Sequence, residues 1–133
     1  MNIEFKVIPH KDQRYATCGD YWITDDVWHV RVSRMSDRRY EWLVFLHELI
    51  ECTLCKVRGV KLDDIDSFDI AYEAARSTHK RYAPCGCLIQ EEPGNDKHAP
   101  YFAQHQVATK CERLIALVLK VSWRKYDAEV ASL

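Results

Sequence analysis

Three ionisable residues, His47, Glu48 and Glu51, lie within the six-residue segment LHELIE at positions 46–51. In a helix, residues four apart share a face, so His47 and Glu51 would point the same way with their donor atoms a few ångströms apart. An imidazole and a carboxylate at this spacing can hold one divalent cation together. Glu48, one residue further along, would then reach a metal-bound water rather than the metal.

The segment lies in a predicted helix over residues 37–58, where Ser36 or Asp37 can cap the start and Gly59 can end it. Apolar residues recur along this helix at helical spacing: Leu43, Leu46, Ile50 and Leu54. The histidine and the second glutamate fall on this apolar stripe, and burying an unpaired carboxylate costs several kcal/mol. The pattern therefore predicts ions, partners or a wet cleft around these groups, and a bound metal would satisfy them.

A catalytic zinc site usually has three protein ligands and one open position, so a third donor is needed. His105 is the favoured donor, because a helix position fixes an imidazole more firmly than a loop does. His98, at the end of a long loop, and Asp69, on the inward side of a second helix, are the alternatives. Asp69 would more conventionally orient a ligating histidine, or pair with an arginine such as Arg76.

Residues 47–51 (HELIE) resemble the H-E-x-x-H helix of zincin-type metallopeptidases, with glutamate in place of the second histidine. The predicted strand over residues 28–34, which leads into this helix, is similar to the strand-then-active-helix core of minimal zincins. The chain also resembles small bacteriophage and prophage proteins in which such a helix is followed by an F-D pair and an A-P-Y-x-x-x-H stretch, here residues 68–69 and 99–105. The resemblance implies that His47 and Glu51 are zinc ligands and that Glu48 is the general base.

The six cysteines offer a competing metal site. Cys52 and Cys55 have C-x-x-C spacing and Cys85 and Cys87 lie in the long loop, so four thiolates can in principle close a structural zinc site. Cys52 and Cys55 fall inside the predicted helix, however, where cysteine is usually a small buried hydrophobe. Two further cysteines are expected in the core: Cys18 and Cys111.

The strands and helices predicted from the sequence indicate an α+β fold in a single domain of residues 1–133. Alternation of apolar and polar residues predicts three strands, near residues 3–7, 20–23 and 28–32, in a small antiparallel or mixed sheet packed on three helices. A turn at residues 24–26 would join the second strand to the third.

A second helix is expected after Asp63 or Asp64, and a third from near Pro100. The predicted inward residues of the second helix are Ile65, Phe68, Tyr72 and Ala75, and those of the third are Val107, Cys111, Leu114, Ile115 and Val118. Residues 84–100 hold three of the four prolines and are expected to form an irregular loop. Irregular loops of this length are often functional. Residues 127–133 are expected to form a frayed tail. Tyr126, just before this tail, is expected to be ordered.

Length and composition narrow the function classes. A chain of 133 residues with 47% hydrophobic residues can bury a core, and its net charge of -1 gives no basis for phosphate-driven binding of nucleic acid. No apolar run approaches the roughly 20 residues of a membrane span. The expected location is therefore the cytoplasm, with no nucleic-acid or membrane partner. The resemblance implies a bacterial or phage-infected cell and a peptide or small-molecule substrate.

The first functional hypothesis is a zinc-dependent hydrolase that acts on peptides, the substrate class being implied by the resemblance alone. The second is a Mg²⁺-dependent nucleotide pyrophosphohydrolase, since Glu48 and Glu51 with Asp66 and Asp69 form two acidic pairs of hard ligands. The predicted strands and His47 argue against it. The third is a non-enzymatic phage accessory protein with a structural metal site.

Overall fold

Three strands form a mixed sheet in the N-terminal part of the chain. A computed structural model describes residues 1–90 and 92–133. Strands β1 (Asn2–Ile8), β2 (Gly19–Thr24) and β3 (Val27–Ser33) lie in the order β1-β3-β2, with β1 parallel and β2 antiparallel to β3. Asp25 and Asp26 link β2 to β3 with φ angles of 49° and 59°, in the left-handed region that tight hairpins use. The predicted strands and turn are confirmed.

The long helix α1 (Arg38–Arg58) begins and ends as its sequence indicates. The Asp37 side chain accepts a hydrogen bond from the Arg39 backbone N–H, and Gly59 ends the helix at a φ of 71°. Leu43 and Val44 of α1 belong to the same buried cluster as Val30 and Val32 of β3. The helix therefore lies on the sheet with its central turns in the core.

Three further helices complete the described structure: α2 (Leu62–Ser77), α3 (Phe102–Val118) and α4 (Trp123–Ser132). The observed architecture is α+β as predicted, with four α-helices rather than three. Within the described residues, no helix combines the length and apolar composition that a membrane crossing requires.

The C-terminal residues 127–132, which are expected to fray, belong to α4, and this helix continues to Ser132. Tyr126 is buried, and its ring packs 5.3 Å from the rings of Tyr40 and Trp123. Val130, one turn further on, also packs against the core. These apolar positions have helical spacing. The sequence of this short segment is too polar to favour an isolated helix, so tertiary contacts stabilise it.

The predicted inward face of α3 is also largely wrong. Leu114 and Val118 are 65% and 81% exposed, and Val107 is exposed as well. The residues that α3 buries are instead His105, Ala108, Glu112 and Ala116. The helix is rotated so that polar residues enter the protein, and this rotation brings His105 and Glu112 to α1.

Residues 84–100 form the predicted loop, apart from residue 91, which lies outside the described residues. A short 3₁₀ turn at Pro93–Asn95 interrupts the loop. Gly94 in this turn is buried against α3. One wall of the site described next is therefore made by loop backbone.

Candidate metal centre

His47, Glu51 and His105 converge on one point between α1 and α3. His47 Nε2 lies 3.4 Å from Glu51 Oε2 and 3.1 Å from His105 Nδ1. His105 Nδ1 lies 2.9 Å from the same Glu51 oxygen. These three atoms, here called the ligand triangle, can hold a metal ion. Zinc bound tetrahedrally at 2.0–2.1 Å would separate its nitrogen and oxygen ligands by about 3.3 Å, close to the edges observed.

All three side chains are buried: His47 is 8% exposed, Glu51 4% and His105 6%. His47 and Glu51 occupy the most buried stripe of α1, between Leu43 and Cys55. Ala108 and Ala116 on the facing side of α3 are small enough to let the two helices approach closely. Packing of α1 on α3 therefore positions the triangle. The burial of His47 and Glu51 agrees with their place on the apolar stripe of the sequence.

Glu112 is a site residue that the sequence prediction missed. Its Oε2 lies 2.9 Å from His47 Nδ1, and its other oxygen accepts a hydrogen bond from the Tyr126 hydroxyl. A carboxylate behind a histidine fixes the tautomer and leaves the other ring nitrogen free to bind a metal. Glu112 follows His105 by seven residues, two helical turns, and this spacing was the signal that could have identified it.

Replacement of Glu112 by glutamine should weaken metal binding at the triangle by about 10- to 100-fold, as is typical for such outer carboxylates. The amide keeps the shape of the side chain but removes the charge that supports His47. Competition with a fluorescent zinc chelator measures the change.

Glu73→Gln is the matched control, because Glu73 is also buried and lines the same cleft, but bonds Arg76. Equal affinities for wild type and Glu112→Gln would contradict the assigned role of Glu112.

Hydrogen bonds around the triangle favour positive charge on the histidines. Burial lowers the pKa of His105, but the neighbouring carboxylates of Glu51 and Glu92 outweigh it and raise that pKa to about 9. Burial opposes a charged His47 too, yet Glu112 and Glu51 raise its pKa well above the ordinary value. The pKa of Glu51 falls to about 2, because its bonds to both histidines exceed the effect of burial. A divalent cation would supply the same charge in place of the histidine protons.

Two glycines make room for site side chains. A Cβ atom at Gly94 would lie 2.5 Å from the His105 ring, and one at Gly19 would lie 2.3 Å from Glu48 Oε1. His105 Nε2 lies 3.2 Å from Glu92 Oε2 without an aligned hydrogen bond. The loop backbone thus holds the His105 ring, while the start of β2 holds the carboxylate of Glu48.

Glu48 lines the same cleft as the three triangle residues. Burial, reinforced by the neighbouring charge of Glu51, raises the pKa of Glu48 well above its usual range. General acids and bases in enzymes are often carboxyl groups whose pKa burial raises in this way. The arrangement therefore places a carboxyl group of raised pKa in the same cleft as a potential metal site.

The alternative ligands lie elsewhere. Asp69 is buried in the cleft, where it accepts hydrogen bonds from the hydroxyls of Tyr101 (2.6 Å) and Tyr15 (3.3 Å), and it joins neither the triangle nor its histidines. Burial, opposed by the Tyr101 bond, raises the pKa of Asp69 to about 7. His98 is exposed and belongs to a different group of side chains, in the loop. Of the three predicted candidates, only His105 reaches the other two ligands.

The four-cysteine site is not formed. Cys52 and Cys55 are buried in the core, and the Tyr21 hydroxyl lies 3.6 Å from Cys55 Sγ. Cys85 and Cys87 instead approach Asp96 and His98. The four carboxylates of the nucleotide hypothesis all line the cleft, but Asp66 pairs with Arg14 at 3.0 Å and Asp69 accepts hydrogen bonds from two tyrosines.

The cleft beside the triangle has a volume of about 120 Å³, which is room for several water molecules. Its charged lining consists mainly of carboxylates: Asp20, Glu48, Glu51, Asp66, Asp69, Glu73, Glu92, Glu112 and Asp127. The described lining includes Arg76, His47 and His105 as the groups that can carry positive charge. The cleft therefore attracts cations, whether a metal ion or a positively charged part of a substrate.

The described residues thus combine a buried ligand triangle, a supporting carboxylate and the carboxyl group of Glu48 in one acidic cleft. Comparisons of the chain with protein-family models, with curated protein sequences and with solved structures give no match.

Proposed function

We propose that the protein is a zinc-dependent hydrolase of zincin type that cleaves peptides. The observation that carries the proposal is the ligand triangle, in which two residues of an H-E-x-x-E helix meet a histidine from α3. Three protein donors leave a fourth position open for water or substrate, as in catalytic zinc sites.

The ligand types favour zinc. Two imidazole nitrogens and one carboxylate oxygen suit zinc, whereas magnesium prefers a shell of oxygen ligands. His47 presents Nε2 to the triangle and bonds Glu112 through Nδ1, as ligating histidines commonly do. When bound there, zinc would lower the pKa of a coordinated water and polarise a carbonyl group.

Glu48 would take the proton from the attacking water and pass it to the leaving amine. A neighbouring position on α1 puts its carboxylate in the same cleft as the triangle, and Gly19 allows it to pack against β2. Its raised pKa matches a group that must both accept and donate a proton during one reaction cycle.

Two features of the cleft support a peptide substrate. β2 is an edge strand of the sheet, and its first residues, Gly19, Asp20 and Tyr21, line the cleft. An extended peptide can pair with the edge of a sheet through its backbone. The acidic lining would favour peptides with a positive charge close to the cleaved bond.

The proposal is tested by incubating the purified protein with a mixed peptide library and identifying the products by mass spectrometry. Cleavage should stop when a chelator removes the metal and return when zinc is added back. Peptides with basic residues near the cleaved bond should be preferred because of the acidic cleft.

Cleavage that persists without metal would contradict the proposal. So would magnesium-dependent hydrolysis of nucleoside triphosphates by a preparation that leaves every peptide intact, since this is the reaction expected of the alternative pyrophosphohydrolase.

A further inference from the structure

A second group of ligating side chains lies in the loop of residues 84–100 and shares no residue with the triangle. Cys85 Sγ lies 2.9 Å from Asp96 Oδ2, and Cys87 Sγ lies 3.0 Å from His98 Nδ1. One ligand atom from each of the four residues lies within 4.8 Å of the others. We propose that this loop cluster, Cys85, Cys87, Asp96 and His98, binds a structural zinc ion.

The donor set is typical of zinc. Two sulfurs, one imidazole nitrogen and one carboxylate oxygen supply the four ligands of a tetrahedral site, and thiolates select zinc over magnesium or calcium. With bonds of 2.0–2.3 Å, such ligands stand about 3.3–3.8 Å apart, which small side-chain rotations within the cluster can reach. Four protein donors leave no open position, so the site would support structure rather than reaction.

The burial of Asp96 is the strongest sign that a cation belongs here. Its side chain is 0% exposed, although the His98 side chain beside it is 51% exposed. Its polar neighbours are the Cys85 thiol, the His98 backbone N–H at 2.9 Å and the His98 ring at 3.3 Å. A buried carboxylate needs a compensating positive charge. A zinc ion shared with two thiolates and an imidazole would supply that charge.

Two tight turns in the backbone present the ligands in pairs. Gly86, between the cysteines, has a φ of 85°, and its N–H bonds the Ala83 carbonyl at 2.8 Å. The Ala83 N–H in turn bonds the Cys87 carbonyl at 2.8 Å. On the other arm, Asp96 N–H bonds the Pro93 carbonyl at 2.9 Å. The pair Cys85 and Cys87 thus faces the pair Asp96 and His98 across the loop, an arrangement that also occurs in zinc-binding loops.

Such an ion would also stabilise one wall of the catalytic cleft. Asp96 follows Gly94 by two residues, and Gly94 packs against the ring of His105. Zinc in the loop cluster would tie the segment of Gly94 to the turn of Cys85 and Cys87. The ion is nevertheless bound by residues outside the triangle, so this proposal does not depend on the hydrolase proposal.

Cobalt(II) substitution tests the loop cluster, because thiolate ligands give cobalt an intense near-ultraviolet charge-transfer band that imidazole and carboxylate ligands do not. The reduced, metal-free protein is titrated with cobalt and then analysed for bound zinc after exchange. Wild type should show the band and bind about two zinc ions per chain, one at each site. Cys85→Ser/Cys87→Ser should lose the band and about one zinc ion.

Two further variants make the result specific. Cys111→Ser is the matched control, since Cys111 is half-buried on α3 and belongs to neither group, and it should keep the band and both ions. His47→Ala should lose the triangle ion but keep the band. If the double cysteine variant does not fold, His98→Ala replaces it, because this side chain is exposed. Both thiolates remain in this variant, so zinc content is its readout, and it should bind about one zinc ion fewer than wild type. Absence of the band from wild type, or its presence in the double cysteine variant, would overturn the proposal.

Discussion

Glu48→Gln should lower the rate of peptide hydrolysis by about 10²–10⁴-fold while the protein keeps its metal, because general-base catalysis typically contributes that factor. Glutamine has the same shape as glutamate and fits the same space beside Gly19, but it cannot take a proton from water. Steady-state rates on the best peptide of the library, together with zinc content, measure both effects.

Glu41→Gln is the control for this variant. Glu41 lies two turns earlier on α1, outside the cleft, and accepts a hydrogen bond from the Met35 backbone N–H. Its replacement should leave the rate unchanged. Unchanged hydrolysis in Glu48→Gln would remove Glu48 from the reaction, and loss of zinc from that variant would make it a ligand instead of a base.

The parts of the fold that follow from local sequence were predicted correctly. Alternating residues identify the three strands, and the caps at Asp37 and Gly59 identify the limits of α1. His47 and Glu51 stand out in the sequence because polar residues inside an apolar stripe cost free energy unless a partner satisfies them. These signals depend only on residues close together in the chain.

The errors concern contacts between distant segments. The apolar residues of α3 are spread around the helix, so hydrophobicity alone pointed to Leu114 and Val118, whereas the polar cluster with His47 and Glu51 fixes the rotation of the helix. Asp96 stands in an irregular loop, where no periodicity marks it, and it meets Cys85 only through the two turns of the loop. Long-range pairing of this kind has no local signature.

His105→Ala should weaken zinc binding at the triangle by more than about 100-fold. This loss is larger than the one expected for Glu112, which supports a ligand without binding the metal itself. The experiment uses a Cys85→Ser/Cys87→Ser background, so that only the triangle contributes to the measured zinc. Two ligands on one helix would remain, but His105 supplies one corner of the triangle, at 2.9 Å from Glu51 and 3.1 Å from His47. Isothermal titration with zinc gives the affinity.

The same titration decides between His105 and Asp69 as the third ligand. Asp69→Asn removes the charge of a buried carboxylate in the same cleft but retains an acceptor for Tyr101, so zinc affinity should stay close to that of the parent. Circular dichroism checks that each variant is folded. A metal that remains bound in His105→Ala and is lost in Asp69→Asn would show that the cleft closes around Asp69 when metal binds. His105 would then lie beside the metal without binding it, and Asp69 would replace it as the third ligand.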